Sequence, residues 1–329
     1  MPRTRRAHYL PRFYLKGFTD EGDNSAFLFV RSKSAQRQWK ARADQVAHER
    51  DLFKPETPQF SPDELEEGFA EIEGDIAPIL RQVIATERLP TGAQMDMLLH
   101  LVALNASRPP AEMENLEDNL DQNLRRLVVE RLTPEMHRRA LQEWRVRGRD
   151  TRHIEDLDAL KARILGGAVR AVVNRDVLLI EGILGRASLL VDLLGQRSWT
   201  LLVAPDGMDF VCSDRPVNLL NKRNVPRGTQ ARYDDVRWDV IMPLSRRLCL
   251  VGHRYGPGGR SNASARTVGF INLLTETGAR EYVYSSRENY EVSPEPKFGV
   301  ENGRAYRWDL GLEHLGSWGT GLGKRAPGH

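Results

Sequence analysis

The sequence predicts an α+β protein, with a mainly helical body around one buried apolar helix and a small antiparallel sheet. Three observations carry this. Apolar residues recur at three- and four-residue spacing from Leu65 to Val83, as in a helix with one buried face. The run from Met97 to Ala106 is apolar almost all round, which marks a helix enclosed by other elements. After Trp199 the pattern shortens to strand-like runs separated by turn residues.

Composition bounds the rest. A chain of 329 residues can bury a substantial core. We read residues 1–294 as a single α+β domain, with a helical part over about 61–197 and a sheet part over about 198–290. The N-terminal segment packs into that domain, and residues 295–329, rich in Gly, Pro and charge, form a weakly ordered tail. The 48 basic and 45 acidic residues leave a net charge of +3, which argues against a dedicated nucleic-acid binder but not against a local basic groove. Two cysteines, Cys212 and Cys249, lie in strand-like runs and suit buried thiols better than a disulfide framework or a metal cluster. No apolar run has the length of a membrane span, and the basic N-terminus lacks a signal-peptide core, so no membrane association and a cytoplasmic location are expected.

In chain order, the densest packet comes first: His8, Tyr9, Phe13, Tyr14 and Phe18, with Arg12 and Lys16 among them. Such a segment reads as one threaded into the body. A short strand follows at 26–30, after turn-prone residues 20–24. Residues 36–58 are polar and irregular. They contain His48-Glu49-Arg50-Asp51, an acid–base-rich run of little specificity in a loop.

A helix then opens at Ser61-Pro62, where Ser61 and Glu64 make a capping box. Pro78 falls inside it and predicts a kink or break. On the helical wheel Glu73 borders the apolar stripe, while Glu64, Glu67, Glu71 and Asp75 face away. The next helix starts at Thr91 with Gln94 as capping partner. Asn105 and Arg108 interrupt its apolar surface on one side, and Pro109-Pro110 ends it. Residues 112–149 read as a solvated helical hairpin with local positive charge at 136–139 and 145–152. More helix follows over 154–195.

In the sheet part, Trp199 to Val203 and Phe210 to Cys212 read as one hairpin around Ala204-Pro205-Asp206-Gly207. Trp238 to Met242 and Leu248 to Val251 read as a second hairpin, around Pro243-Leu244-Ser245. A polar, basic loop joins the two. The run 256–260, Gly-Pro-Gly-Gly-Arg, fits a flexible linker better than a phosphate loop. A helix over 264–277 carries Asn272 in its apolar arc, and Tyr282-Val283-Tyr284 is a last strand.

Several of these pieces recur together. They are His8-Tyr9-x-Pro11-x-Phe13-Tyr14-Leu15-x-Gly17-Phe18, Ile72-Glu73, Asn105 with Arg108-Pro109, and Phe210-Val211-Cys212-Ser213-Asp214-Arg215-Pro216-Val217. Asn272 before Tyr282-Val283-Tyr284-Ser285 completes the set. Spread over nearly the whole chain, the set resembles a bacterial family of domains of unknown function, DUF4238. Where that family reads Thr-Ser-Asp this chain has Cys212, so no hydroxyl role is assigned there. The resemblance implies a map of motifs and no activity.

Walker loops, dinucleotide glycine fingerprints, Gly-x-Ser-x-Gly elbows and His-Glu-x-x-His are absent. Two readings stand. In the first the protein is a hydrolase acting on an anionic, phosphate-containing substrate, nucleic acid included. His8, Glu73 and Asp214 would do acid–base work or hold a divalent metal ion. Arg108 and Arg12 would meet the anion and Asn105 would orient it. In the second the protein is a non-catalytic binding or effector module. His8 is then a packing histidine, Glu73 and Arg108 are a buried ion pair, Asp214 caps a turn, and Asn105 and Asn272 tie loops. Partners in either case are a phosphate-containing small molecule or nucleic acid. Convergence of these groups on an open cavity separates the two readings.

Overall fold

Two larger sheets, a two-stranded β1–β4 ribbon and a helical layer build the fold in the computed structural model, which describes residues 6–20, 27–54, 64–152, 154, 156–170, 174, 176, 178–221, 231–254, 258–293, 300–301 and 304–305. The opening segment forms β1 (Arg6–His8), α1 (Arg12–Leu15) and a 3₁₀ turn (Lys16–Phe18). Next come β2 (Phe27–Ser32), β3 (Arg37–Arg42) and β4 (His48–Arg50). The helices α2 (Glu64–Thr86), α3 (Ala93–Ser107), α4 (Pro110–Arg131), α5 (Pro134–Val146), α6 (Leu157–Arg163) and α7 (Arg186–Gly195) follow, with π-type turns at Ile164–Ala168 and Leu178–Gly185. Then come β5 (Ser198–Val203), β6 (Cys212–Ser213), β7 (Asn218–Asn221), β8 (Trp238–Pro243), β9 (Leu248–His253), β10 (Gly259–Asn262), α8 (Ala265–Gly278) and β11 (Tyr282–Ser285).

The larger sheet has the order β10-β5-β9-β8-β7; only the β10–β5 pair is parallel. Its central strands are apolar on both faces because both faces are covered. Leu201, Val240, Met242, Leu248 and Leu250 join the helical core, in which α3 packs against α2 and α7. The alternate residues Leu202, Ile241, Cys249 and Val251 pack with Val268 and Ile271 of α8 on the other side. A second sheet, β3-β2-β11-β6, brings β2 from the first tenth of the chain beside β11, about 250 residues later. The α+β expectation with an antiparallel sheet holds, and the sheets are larger than expected.

The opening segment is built in. Tyr14 and Phe18 are fully buried, and Phe13 is half-buried. The Tyr14 hydroxyl donates to the Pro243 carbonyl at 2.7 Å, and the Arg246 amide donates to the Gly17 carbonyl at 2.8 Å. A Cβ at Gly17 would meet the Leu244 carbonyl oxygen at 3.0 Å, so a larger residue would push against the turn. The segment thus latches onto the turn between β8 and β9.

Three local expectations are corrected. The proposed hairpin of Trp199–Val203 with Phe210–Cys212 does not form: β5 pairs with β9 and β10, while β6 pairs with β11 in the other sheet. The α2 helix runs through Pro78 without a break. Gly74, whose carbonyl Pro78 deprives of its donor, is exposed, so that carbonyl is not left unsatisfied in the core. The α3 helix has Gly92 as its N-cap, at φ 56°, in place of a Thr91–Gln94 box. The β8–β9 hairpin and the α8 helix are as expected, and the Ser264 hydroxyl caps α8 by accepting from the Thr267 amide. The Ser61 cap, the basic loop at 222–230 and most of 295–329 lie outside the described residues; β12 (Val300–Glu301) and β13 (Arg304–Ala305) pair within the last.

Candidate functional site

Arg108 sits at the end of α3, where Pro109 stops the helix and turns its side chain toward α2. Its guanidinium donates to the Glu73 carboxylate at 2.5 Å and to the His8 carbonyl at 2.6 Å. It also lies 4.3 Å from the ring centre of Phe69 and 5.2 Å from that of Phe53. Burial disfavours its charge, and the Glu73 carboxylate opposes that effect. The rings on which the planar guanidinium rests replace part of its lost hydration. Glu73 thus turns from the edge of α2 toward Arg108, and the half-buried Glu66 of the same helix adds its charge there.

His8 lies one strand away, edge-on to His48 with ring centres 5.3 Å apart. Its Nε2 is buried and has no hydrogen-bond partner. Burial, then the charges of Arg12, His48 and Arg108, lower its pKa to about 4 against a backbone hydrogen bond with Asp44, so the ring is neutral near pH 7. Arg12 is exposed and acts on this site only through its field. Asn105 is buried, and neither its amide nitrogen nor its oxygen has a partner. Asn272, by contrast, accepts from the Val211 amide and donates to the Asp209 and Glu291 carbonyls, tying loops to α8.

Asp214 stands just past β6, as expected. One carboxylate oxygen accepts from the Arg280 amide at 2.8 Å, and the other from the Glu281 and Tyr282 amides at 2.7 and 2.9 Å. The carboxylate anchors the entry to β11. It lines a small recess of about 160 Å³ with Tyr9, Glu49 and Arg280. The structure therefore brings His8, Glu73 and Arg108 into one network, with Asn105 one turn along α3. Asp214 sits in a separate recess. Among the described residues, no group of three or more His, Cys, Asp or Glu is placed to hold a metal ion.

A larger cleft of about 720 Å³ opens beside that recess. It falls within the usual range for small-molecule sites. Its walls are the first half of α4 and the segment from Arg215 through β7, with Arg186 and Tyr233. Glu112, in the first turn of α4, receives two guanidinium groups. Arg215 donates to one oxygen through Nε at 2.9 Å and Nη2 at 2.5 Å, and Arg186 donates to the other at 3.3 Å. Asn115, Asn119, Gln122 and Asn218 add neutral donors and acceptors. Tyr233 is pushed up to about 12 by burial and by Glu112, so its hydroxyl keeps its proton. The sequence reading assigned none of Glu112, Arg186 or Tyr233. Arg215 carried a signal, as the variable position inside the Ser-Asp-x-Pro-Val element. Glu112 had only its place just after Arg108-Pro109-Pro110.

The comparisons agree with this distribution of motifs. A family model described as protein of unknown function (DUF4238) matches residues 6–289, and the chain belongs to that family. No curated protein and no solved structure matches the chain. Among the described residues, no helix is long and apolar enough to cross a membrane.

Proposed function

We propose that this DUF4238 member is a binding module for a small phosphate-containing anion, held in the cleft between α4 and the segment from Arg215 through β7. The observation that carries the reading is the meeting of Arg186 and Arg215 on the single carboxylate of Glu112. Two positive charges on one negative charge leave the triad with a net positive charge, and Asp118 on the same wall is met by Arg170 at 3.6 Å. A guanidinium offers planar pairs of donors that match phosphate oxygens. The flanking amides supply hydrogen bonds to the uncharged part of a ligand.

The hydrolytic reading has one observation in its favour: His8 is neutral at pH 7 and keeps an unpartnered Nε2, the state a general base requires. Glu73 and Asp214, the carboxylates proposed beside it, are already engaged by Arg108 and by three backbone amides. Binding without turnover therefore fits these residues better.

Calorimetry and thermal melting with inorganic phosphate, nucleotides, sugar phosphates and dicarboxylates test the proposal. A phosphate compound should bind and raise the melting temperature, since a ligand at 100 times its Kd stabilises the folded state by about 2.7 kcal/mol. Arg215→Gln should weaken that binding tenfold or more. Dicarboxylates alone binding, or affinity unchanged in Arg215→Gln, would refute the reading. Phosphate release from a phosphoester, lost in His8→Ala, would replace it with the hydrolase.

A further inference from the structure

The second part of α4 and the whole of α5 do not depend on burial for their form. From Gln122 to Asp150 every residue is exposed or half-exposed except His137. Most helices in proteins are held by an apolar face, and this segment lacks one. Local devices stand in for it. Thr133 caps α5 by accepting from the Met136 amide at 3.2 Å, and Pro134 occupies its first turn. Glu135–Arg139 and Glu143–Arg147 pair one turn apart at 2.6 and 2.5 Å.

The same segment is strongly charged. Residues 125–152 hold nine arginines and no lysine against four carboxylates, an excess of five positive charges. The whole chain carries +3, so everything outside this segment sums to −2. The positive excess is therefore carried by the second part of α4, by α5 and by the residues just after it, while the start of α4 carries Glu112, Glu114, Glu117, Asp118 and Asp121. Trp144 lies among the arginines, half-buried, with the Arg149 guanidinium 5.5 Å from its ring centre.

We infer that the exposed, arginine-rich stretch from the second part of α4 through α5 to Arg152 is a docking surface for the phosphate backbone of a nucleic acid. Charge complementarity selects the partner. Use of arginine alone suits phosphate, because the guanidinium pairs bidentately and is weakly hydrated. The backbone contacts fix position without reading sequence. A solvated face would need only enough charge for solubility, and mixed signs serve that purpose.

The experiment measures anisotropy of a labelled DNA duplex about two helical turns long, its single strand, and an RNA of the same sequence. The full chain is titrated from 50 to 200 mM salt. Arg138→Gln/Arg149→Gln changes two exposed residues on this surface, and Arg260→Gln changes an exposed residue on β10 as a control. The wild type should bind, with log affinity falling linearly against log salt by about 0.9 for each duplex phosphate neutralised. The double variant should weaken binding equally for unrelated sequences and lower the slope by about 1.8, with its melting temperature kept. The control should match the wild type. The strands compared show whether duplex or single strand is preferred. Absence of binding at 50 mM salt, or an unchanged slope in the double variant, overturns the inference. Binding to polyglutamate without binding to nucleic acid overturns it in favour of an acidic protein partner.

Discussion

The carboxylate of Glu73 and the guanidinium of Arg108 meet at 2.5 Å, with side-chain exposures of 22% and 4%. The asymmetry sets what each substitution does. Glu73→Ala leaves a buried cation without its carboxylate and should cost about 3–5 kcal/mol, while Arg108→Met leaves a carboxylate that water can reach and should cost less. Glu73→Leu/Arg108→Met should recover much of the loss, because a packed apolar pair is often as stable as a buried ionic one. Urea unfolding of the three variants checks the order.

Asp214→Asn should destabilise by about 2–3 kcal/mol, since it removes a charged acceptor of three backbone amides and turns an N–H toward one of them. Differential scanning calorimetry reads the loss. A variant as stable as the wild type would show that the carboxylate is held for another purpose.

Phe18 is fully enclosed and Phe13 is half-buried. Phe18→Ala should therefore cost about 3–5 kcal/mol and Phe13→Ala roughly half as much. Equal losses at the two positions would contradict the depth at which the structure sets them.

His8 gives a pH signature. Its folded pKa of about 4 lies below the usual 6.5, so between these values the unfolded chain holds a proton that the folded chain refuses. The His8 contribution is constant above pH 6.5, and stability falls as pH drops toward 4. The slope is at most about 1.4 kcal/mol per pH unit, and less because water still screens the ring. His8→Gln should flatten the wild-type slope in that window and leave stability differences above pH 7 unchanged with pH. Denaturant midpoints at pH 4.5 and 7.5 compare the two.

What the sequence disclosed follows from where the deciding forces lie. The β8–β9 hairpin was legible because Pro243-Leu244-Ser245 is a local turn between two apolar runs. Glu73 and Arg108 were legible because one borders and the other interrupts an apolar stripe at a helical interval. The partners of β5 were not, since β9 and β10 join it from far along the chain and no local turn announces them. Gly92 outcompeted Thr91 through a left-handed backbone angle that a capping pattern does not reveal. The cleft was hidden for a related reason: Glu112, Arg186 and Arg215 come from three separated segments and are ordinary surface residues in each. Asp214 was correctly placed at a strand end, while the amides that occupy it come from residues 280–282.

The pairing of β2 with β11 constrains how the chain is made. Val30 meets Tyr284, about 250 residues later. At ribosomal speeds of about 5–20 residues per second, β2 waits roughly 13–50 seconds after synthesis for its partner. During that time one edge of the β2–β3 ribbon is open to any passing strand. A stalled or truncated product ending before Tyr282 would keep that edge and lack the anchor that Asp214 supplies to it. Such fragments are the species most exposed to aggregation, and the enclosed helices of the middle must hold the nascent chain together until the last strand arrives.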